Sequence, residues 1–125
     1  MTQSPQPTEI KLHRQSRMLE LSFDNGAKFA FSCEFLRIFS PSAEVQGHGP
    51  GQEILLVDKD AVNVTNIEPI GNYAIKLYFD DGHNTGLYSW KYLYKLGKEQ
   101  AHLWKKYLDR LQQVGYVRKD LKTKD

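Results

Sequence analysis

The chain has 125 residues, 40% hydrophobic and 26% charged, with a net charge of +2 at neutral pH. Those values fit one globular domain with its own core, and so small a cationic excess argues against nucleic acid, whose phosphates call for a concentrated basic face. The lone cysteine, Cys33, excludes an internal disulfide and a cysteine-based zinc site; with no leader-like start and no run of roughly 18 apolar residues, a cytoplasmic protein away from membranes is expected.

Residues 1–8 are polar, contain two prolines and read as a disordered start. The domain is expected over 9–118, with a charged, frayed tail at 119–125. From Ile10 the apolar residues alternate: Ile10 and Leu12, then Leu19, Leu21 and Phe23. "FDNGAKF" supplies an Asp-Asn-Gly turn between two strands. In "AFSCEFLRIF", Ser32 is placed to accept a backbone N–H at the start of a short helix, with Phe35, Leu36 and Phe39 on its apolar face.

Residues 40–52, "SPSAEVQGHGPGQ", read as a loop because proline and glycine interrupt regular structure. A loop of this length in a small domain tends to carry function. Residues 54–58 predict a short strand. Val62, Val64 and Ile67 predict another, ended by Pro69 and Gly71. In "NYAIKLYF" the side chains of Tyr73, Ile75, Leu77 and Phe79 fall on one face. "DDGHN" turns the chain into "TGLYS". "SWKYLYKLG" then predicts a short helix capped by Ser89 and ended by Gly97. A longer C-terminal helix follows, with Ala101, Trp104, Leu108 and Leu111 on its apolar face and Lys105, Lys106, Asp109 and Arg110 on its wet side. The fold class is α+β: a small, twisted, mainly antiparallel sheet with short helices and a longer C-terminal one.

"FDNGAKFAFSCEFL" and "FDDGHNTGLYSWKYL" echo each other. Phe23, Asp24 and Gly26 match Phe79, Asp80 and Gly82; Ser32 and Leu36 match Ser89 and Leu93 after one inserted residue. Each copy is strand, Asp-x-Gly turn, strand, Ser-capped helix. The first turn has Ala27 where the second has His83, so the bend does not need a histidine. Gly82, at positive φ, is expected to be the structural residue, and His83 a surface or site residue whose replacement leaves stability unchanged.

Asp80, Asp81 and His83, with His48 from the loop, are the candidate metal ligands, since imidazole and carboxylate suit zinc or ferrous iron. The simpler reading gives the aspartates to the turns, where they cap backbone N–H groups. Enzymatic motifs are missing. His13, His48, His83 and His102 are followed two places on by Gln15, Pro50, Thr85 and Trp104, so no histidine-x-carboxylate trace exists. There is no Gly-x-Ser-x-Gly elbow and no phosphate loop with its lysine. Arg37 is a candidate to pair with Glu44 or with a partner's carboxylate. Trp90, with Tyr88, Tyr92 and Tyr94, offers a rim for a binding face.

"FLRIFSPSAEVQGHGPG", "IEPIGNYAIKLYFDDGHNTGLYSW" and "LWKKYLDRLQQVGYVR" resemble the gamma-butyrobetaine hydroxylase-like N-terminal domain, a family long labelled of unknown function. The resemblance covers about residues 9–118 and is closest to short stand-alone bacterial members. It implies a domain that, in the hydroxylases, precedes an iron- and 2-oxoglutarate-dependent jelly roll and holds a structural zinc through three cysteines and the histidine of Asp-Gly-His. In other chains it is attached to a P-loop ATPase of iron–sulfur cluster assembly. Here His83 matches the zinc histidine and Leu36-Arg37 the anchor preceding the cysteines. Ser40, Ser42 and the Ala43–Val45 region stand where the cysteines would be. The resemblance therefore implies the fold, with neither a zinc cofactor nor hydroxylase activity. The expected function is a non-enzymatic binding or accessory module. Its partner is expected to be a protein, an oxygenase or an iron–sulfur assembly ATPase, engaged through the 40–52 loop and the 80–86 turn, using Arg37, Glu44, His48, Asp81, His83 and Trp90. The alternatives are a metal-binding protein using His48, His83 and Asp81, and a small enzyme whose site lies outside these motifs.

Overall fold

A computed structural model describes residues 5–42 and 55–118. Strands β1 (Pro7–His13), β2 (Met18–Phe23) and β3 (Lys28–Ser32) form one antiparallel sheet in that order. Helix α1 (Cys33–Ile38) follows directly. Strands β4 (Val64–Ile70), β5 (Ala74–Phe79) and β6 (Leu87–Ser89) form a second antiparallel sheet, and helix α2 (Trp90–Gln113) completes the chain. The α+β class stands, with two three-stranded sheets in place of one.

Each central strand carries the expected alternation. Leu19, Leu21 and Phe23 of β2 and Ile75, Leu77 and Phe79 of β5 enter one core, shared with Phe31, Phe35, Leu36, Val64, Tyr88, Leu93 and Leu96. Burial of these side chains is the main driving force for joining the two sheets.

The two halves repeat down to single hydrogen bonds. In the first turn, Phe23 N donates to Ala27 O and Gly26 N to Phe23 O; in the second, Phe79 N donates to His83 O and Gly82 N to Phe79 O. Gly26 and Gly82 both sit at φ +91°, where a β-carbon is strained. Asp24 exchanges two bonds with the backbone of Gln6, through its amide and its carboxylate, and Asp80 does the same with Asn63. Ser32 Oγ accepts from Phe35 N at 2.9 Å and Ser89 Oγ from Tyr92 N at 3.1 Å, the expected helix caps. Cys33 N donates to Arg17 O, and Trp90 N to Tyr73 O. Even the irregularity recurs, between Pro7 and Glu9 in β1 and between Val64 and Asn66 in β4. The echo in the sequence is thus a structural repeat. It aligns 23–27 with 79–83 and, after the inserted residue, 29–40 with 86–97.

Several expectations change. Strand β1 begins at Pro7, inside the stretch expected to be disordered. Residues 55–57 are not a strand: Leu55 and Leu56 pack beside Ile38, Tyr107 and Leu111, and Leu56 O accepts from Tyr107 OH. Strand β4 runs through Pro69 to Ile70, which an edge position tolerates because no N–H is required there. Tyr73 lies in the turn before β5 and is 54% exposed. Gly97 does not end a helix. Helix α2 is continuous through it, and glycine suits the position because the Phe29 ring lies against the backbone there, where a β-carbon would overlap it. The buried line of α2 is Leu93, Leu96, Tyr107 and Leu111, with Trp104 half-buried; Leu108 and Ala101 are exposed.

Candidate functional site

Each turn of the repeat reaches across to the helix of the other half. Asn25 and Asp81 occupy equivalent turn positions, and Tyr94 and Arg37 equivalent helix positions. Asn25 Nδ2 donates to Tyr94 OH at 3.0 Å, while Arg37 Nε donates to Asp81 Oδ2 at 2.9 Å. A second pair is reciprocal as well. Phe29 fills the space left by Gly97, and Ser40 fills the space left by Gly86, where a β-carbon would overlap the serine hydroxyl.

The chemistry of the two contacts differs. The first is aromatic: Phe23, Phe29 and Tyr94 meet edge to face, with centroids 5.2–5.9 Å apart. The second is polar and charged. Asp81 Oδ2 accepts from Arg37 Nε and also from Lys59 Nζ at 2.6 Å. Its Oδ1 accepts from His83 N at 3.1 Å. Partial burial by itself would push the Asp81 carboxyl up, but the bonds from Lys59, the His83 amide and Arg37 outweigh it and hold the group down at about 2. The Arg37 side chain is only 10% exposed, and its enclosed Nη1 has no hydrogen-bond partner among the described residues. Behind this pair, Ser40 Oγ lies 2.9 Å from His83 Nε2, Ser42 N donates to Ser40 Oγ, and Ser42 Oγ lies 2.8 Å from Thr85 Oγ1. Tyr88 OH donates to Leu36 O, and burial pushes its hydroxyl pKa up.

His83 is therefore not a surface residue. It is 6% exposed, beside the Phe79 ring, because Ser40 arrives from the end of α1 to meet its ring nitrogen. Arg37 pairs with Asp81; Glu44 and His48 lie outside the described residues. Trp90 belongs elsewhere: it sits at the Ala74 end of β5, opposite the 80–83 turn, and its Nε1 donates to Asn72 O. Lys59 escapes a reading by periodicity, because it lies in no regular element and nothing near it in sequence predicts Asp81 as its partner. Gly86 and Ser40 carry a faint signal, as the repeat equivalents of Phe29 and Gly97.

Among the described residues, the chemistry available to a substrate or a metal here is limited. Ser40 beside His83 is fully buried and presents no nucleophile to a substrate. The zinc position implied by the resemblance holds one imidazole and two hydroxyls among the described residues, a donor set that does not fit zinc. Among the described residues no three histidine, cysteine or carboxylate side chains converge.

A family model described as gamma-butyrobetaine hydroxylase-like, N-terminal, matches residues 10–94. The chain belongs to the gamma-butyrobetaine hydroxylase-like N-terminal family. The match spans both halves of the repeat and stops inside α2. No curated protein matches the chain. A solution structure determined by NMR is 52% identical, covers 100% of this chain and 98% of its own, and superposes with a TM-score of 0.79. A second such structure is 41% identical over 98% of both chains, with a TM-score of 0.80. A crystal structure from Acidithiobacillus ferrooxidans, of a protein with unknown function in the DUF971 family, is 35% identical. It covers 74% of this chain and 92% of its own, with a TM-score of 0.62. The first two solved chains thus match this one over nearly their whole length. No helix among its described residues is long and apolar enough to cross a membrane.

Proposed function

We propose that this domain is a non-enzymatic binding module that engages a protein partner through the 80–86 turn and the adjoining end of α1, where residues 40–42 lead into the loop. The observation that carries this reading is the asymmetry of the repeat. An aromatic contact serves stability at one of two equivalent positions, so the fold does not require charge at the other. Buried ion pairs are no better than well-packed apolar groups at holding a structure together. The Arg37–Asp81–Lys59 cluster, with an enclosed guanidinium nitrogen that no described residue bonds, therefore answers to something other than folding. A carboxylate supplied by a protein partner would meet Lys59 at the open rim of the cluster, already held in place by Asp81.

The test transplants the first contact into the second. The double variant Arg37→Tyr/Asp81→Asn recreates the Tyr94–Asn25 pair. It is expected to melt close to the parent while losing the partners that the parent captures by cross-linking in its source cell. Capture of the same partners by both proteins overturns the reading. The module is also proposed to fold without a resident metal. A chelator should leave its melting temperature unchanged, where loss of a structural zinc would remove on the order of 10 kcal/mol.

A further inference from the structure

The repeat also exposes a difference between the two helices. All six residues of α1 are buried. Its Glu34 and Ile38 face is covered by the distal half of α2 and the segment after it. Tyr107 and Leu111 pack on Ile38. The chain reverses at Gly115, φ +77°, and Arg118 then places its Nε 3.0 Å from Glu34 Oε2, with its guanidinium over the Trp104 ring. The positions of α2 equivalent to Glu34 and Ile38 are Lys91 and Lys95, and both are exposed. The face that the protein covers on its first helix is open on its second, with the charge inverted.

That open face continues as a stripe. Lys91, Lys95, Lys98, His102 and Lys105 recur at steps of three and four residues, on the side of α2 opposite Leu93, Leu96, Tyr107 and Leu111. Such spacing puts successive side chains about 5 Å apart along the helix axis. Lys105 pairs with Asp109, but Lys91, Lys95 and Lys98 form no ion pair with a described residue. The charge is segregated. Helix α2 holds six lysines and arginines against Glu99 and Asp109, whereas the whole chain holds 17 against 15, so the rest is net negative. The first turn of α2 has no acidic residue and contains Lys91, a placement that the helix dipole disfavours.

We infer that the lysine face of α2 is a docking surface for an acidic helical segment of a protein partner. The protein's own α1 is the precedent for the geometry: a helix face covered by another helix and closed by an ion pair. With the charge inverted, the covering helix must present carboxylates, and a spacing of i, i+4, i+7 matches the lysines. Single-stranded nucleic acid is disfavoured because no aromatic side chain interrupts the stripe to stack a base, and a duplex because a chain of net charge +2 offers one narrow stripe and no broad basic face. A membrane surface is disfavoured because the apolar side of α2 is spent on the core. This surface is distinct from the Arg37–Asp81 site and does not depend on the function proposed there.

The probe is a helical peptide of about 20 residues with glutamates at i, i+4, i+7 spacing, compared with its scramble, with phosphatidylserine-containing vesicles and with duplex DNA, all at physiological ionic strength. The peptide is expected to shift the amide resonances of residues 90–106 and to bind more tightly than the other three probes. The triple variant Lys91→Glu/Lys95→Glu/Lys98→Glu should weaken it about tenfold or more, the combined effect of three exposed pairs. The triple Lys11→Glu/Arg14→Glu/Lys76→Glu, on β1, the turn after it and β5, away from this helix face, should leave it unchanged. Equal losses in the two triples, equal binding of the scramble, or tighter binding of vesicles or DNA overturns the inference. Unchanged melting of both triples keeps a folding defect from imitating the result.

Discussion

The two turn-to-helix contacts are built on one backbone plan and filled with opposite chemistry. At the first, Asn25, Phe29, Tyr94 and Gly97 form an aromatic seam with one neutral hydrogen bond. At the second, the equivalent Asp81, Gly86, Arg37 and Ser40 form a charged cluster, with His83 where the first has Ala27. The backbone bonds around Gly26 and Gly82 agree to within a few tenths of an ångström, so the turn geometry does not distinguish the halves. The difference teaches that the plan is indifferent to what fills the contact: the same backbone accepts an aromatic seam at one turn and a charged cluster at the other.

The largest expected effect tests the equivalence itself. Leu36 and Leu93 are both fully buried at matching helix positions. Leu36→Ala and Leu93→Ala should each cost about 2–5 kcal/mol in chemical denaturation. A large loss from one and almost none from the other would show that the repeat is not energetically symmetric.

The next comparison sharpens the contrast between His83 and Ala27. His83→Ala removes the ring that meets the enclosed Ser40 hydroxyl and should cost about 1–3 kcal/mol. The sequence pointed to a silent change here, and burial reverses that expectation. Gly82→Val and Gly26→Val should each cost about 1 kcal/mol or more, because both glycines hold positive φ. Urea midpoints of the three variants decide the matter; an unaffected His83→Ala would return the histidine to the surface.

The smallest effect is in acid. Asp81 is held below its ordinary value of 3.8, at about 2, so the folded protein takes up this proton less readily than the unfolded chain. Its contribution is complete above about pH 4 and is lost as the pH falls toward about 2, the direction for a depressed carboxylate. Screening at the open rim of the cluster limits it to about 1 kcal/mol. The stability difference between the parent and Arg37→Tyr/Asp81→Asn should therefore change across that window and be flat above it. A difference that stays constant from pH 5 to pH 2 would detach the carboxylate from the cluster.

Local chemistry was written in the sequence. An Asp-x-Gly turn needs only its own residues to bend, and a serine hydroxyl caps the helix that begins beside it, so both hairpin turns, both caps and the repeat follow from short-range offsets. Alternation likewise marked the core faces of β2 and β5. Tertiary packing decided the rest, because contacts between distant residues leave no trace in local spacing. Gly97 has the look of a helix end, yet the Phe29 ring, 68 positions earlier in the chain, uses it as a slot and the helix continues. Leu55 and Leu56 have the pattern of a strand but find side chains of α2 instead of a pairing edge. His83 is polar and sits in a turn, and is nonetheless buried, because its partner Ser40 comes from the other half of the repeat. Lys59 joins Asp81 across a gap that no periodicity spans. The sequence determined the two copies of the plan; only the fold, by crossing each turn onto the other copy's helix, decided which side chains meet there.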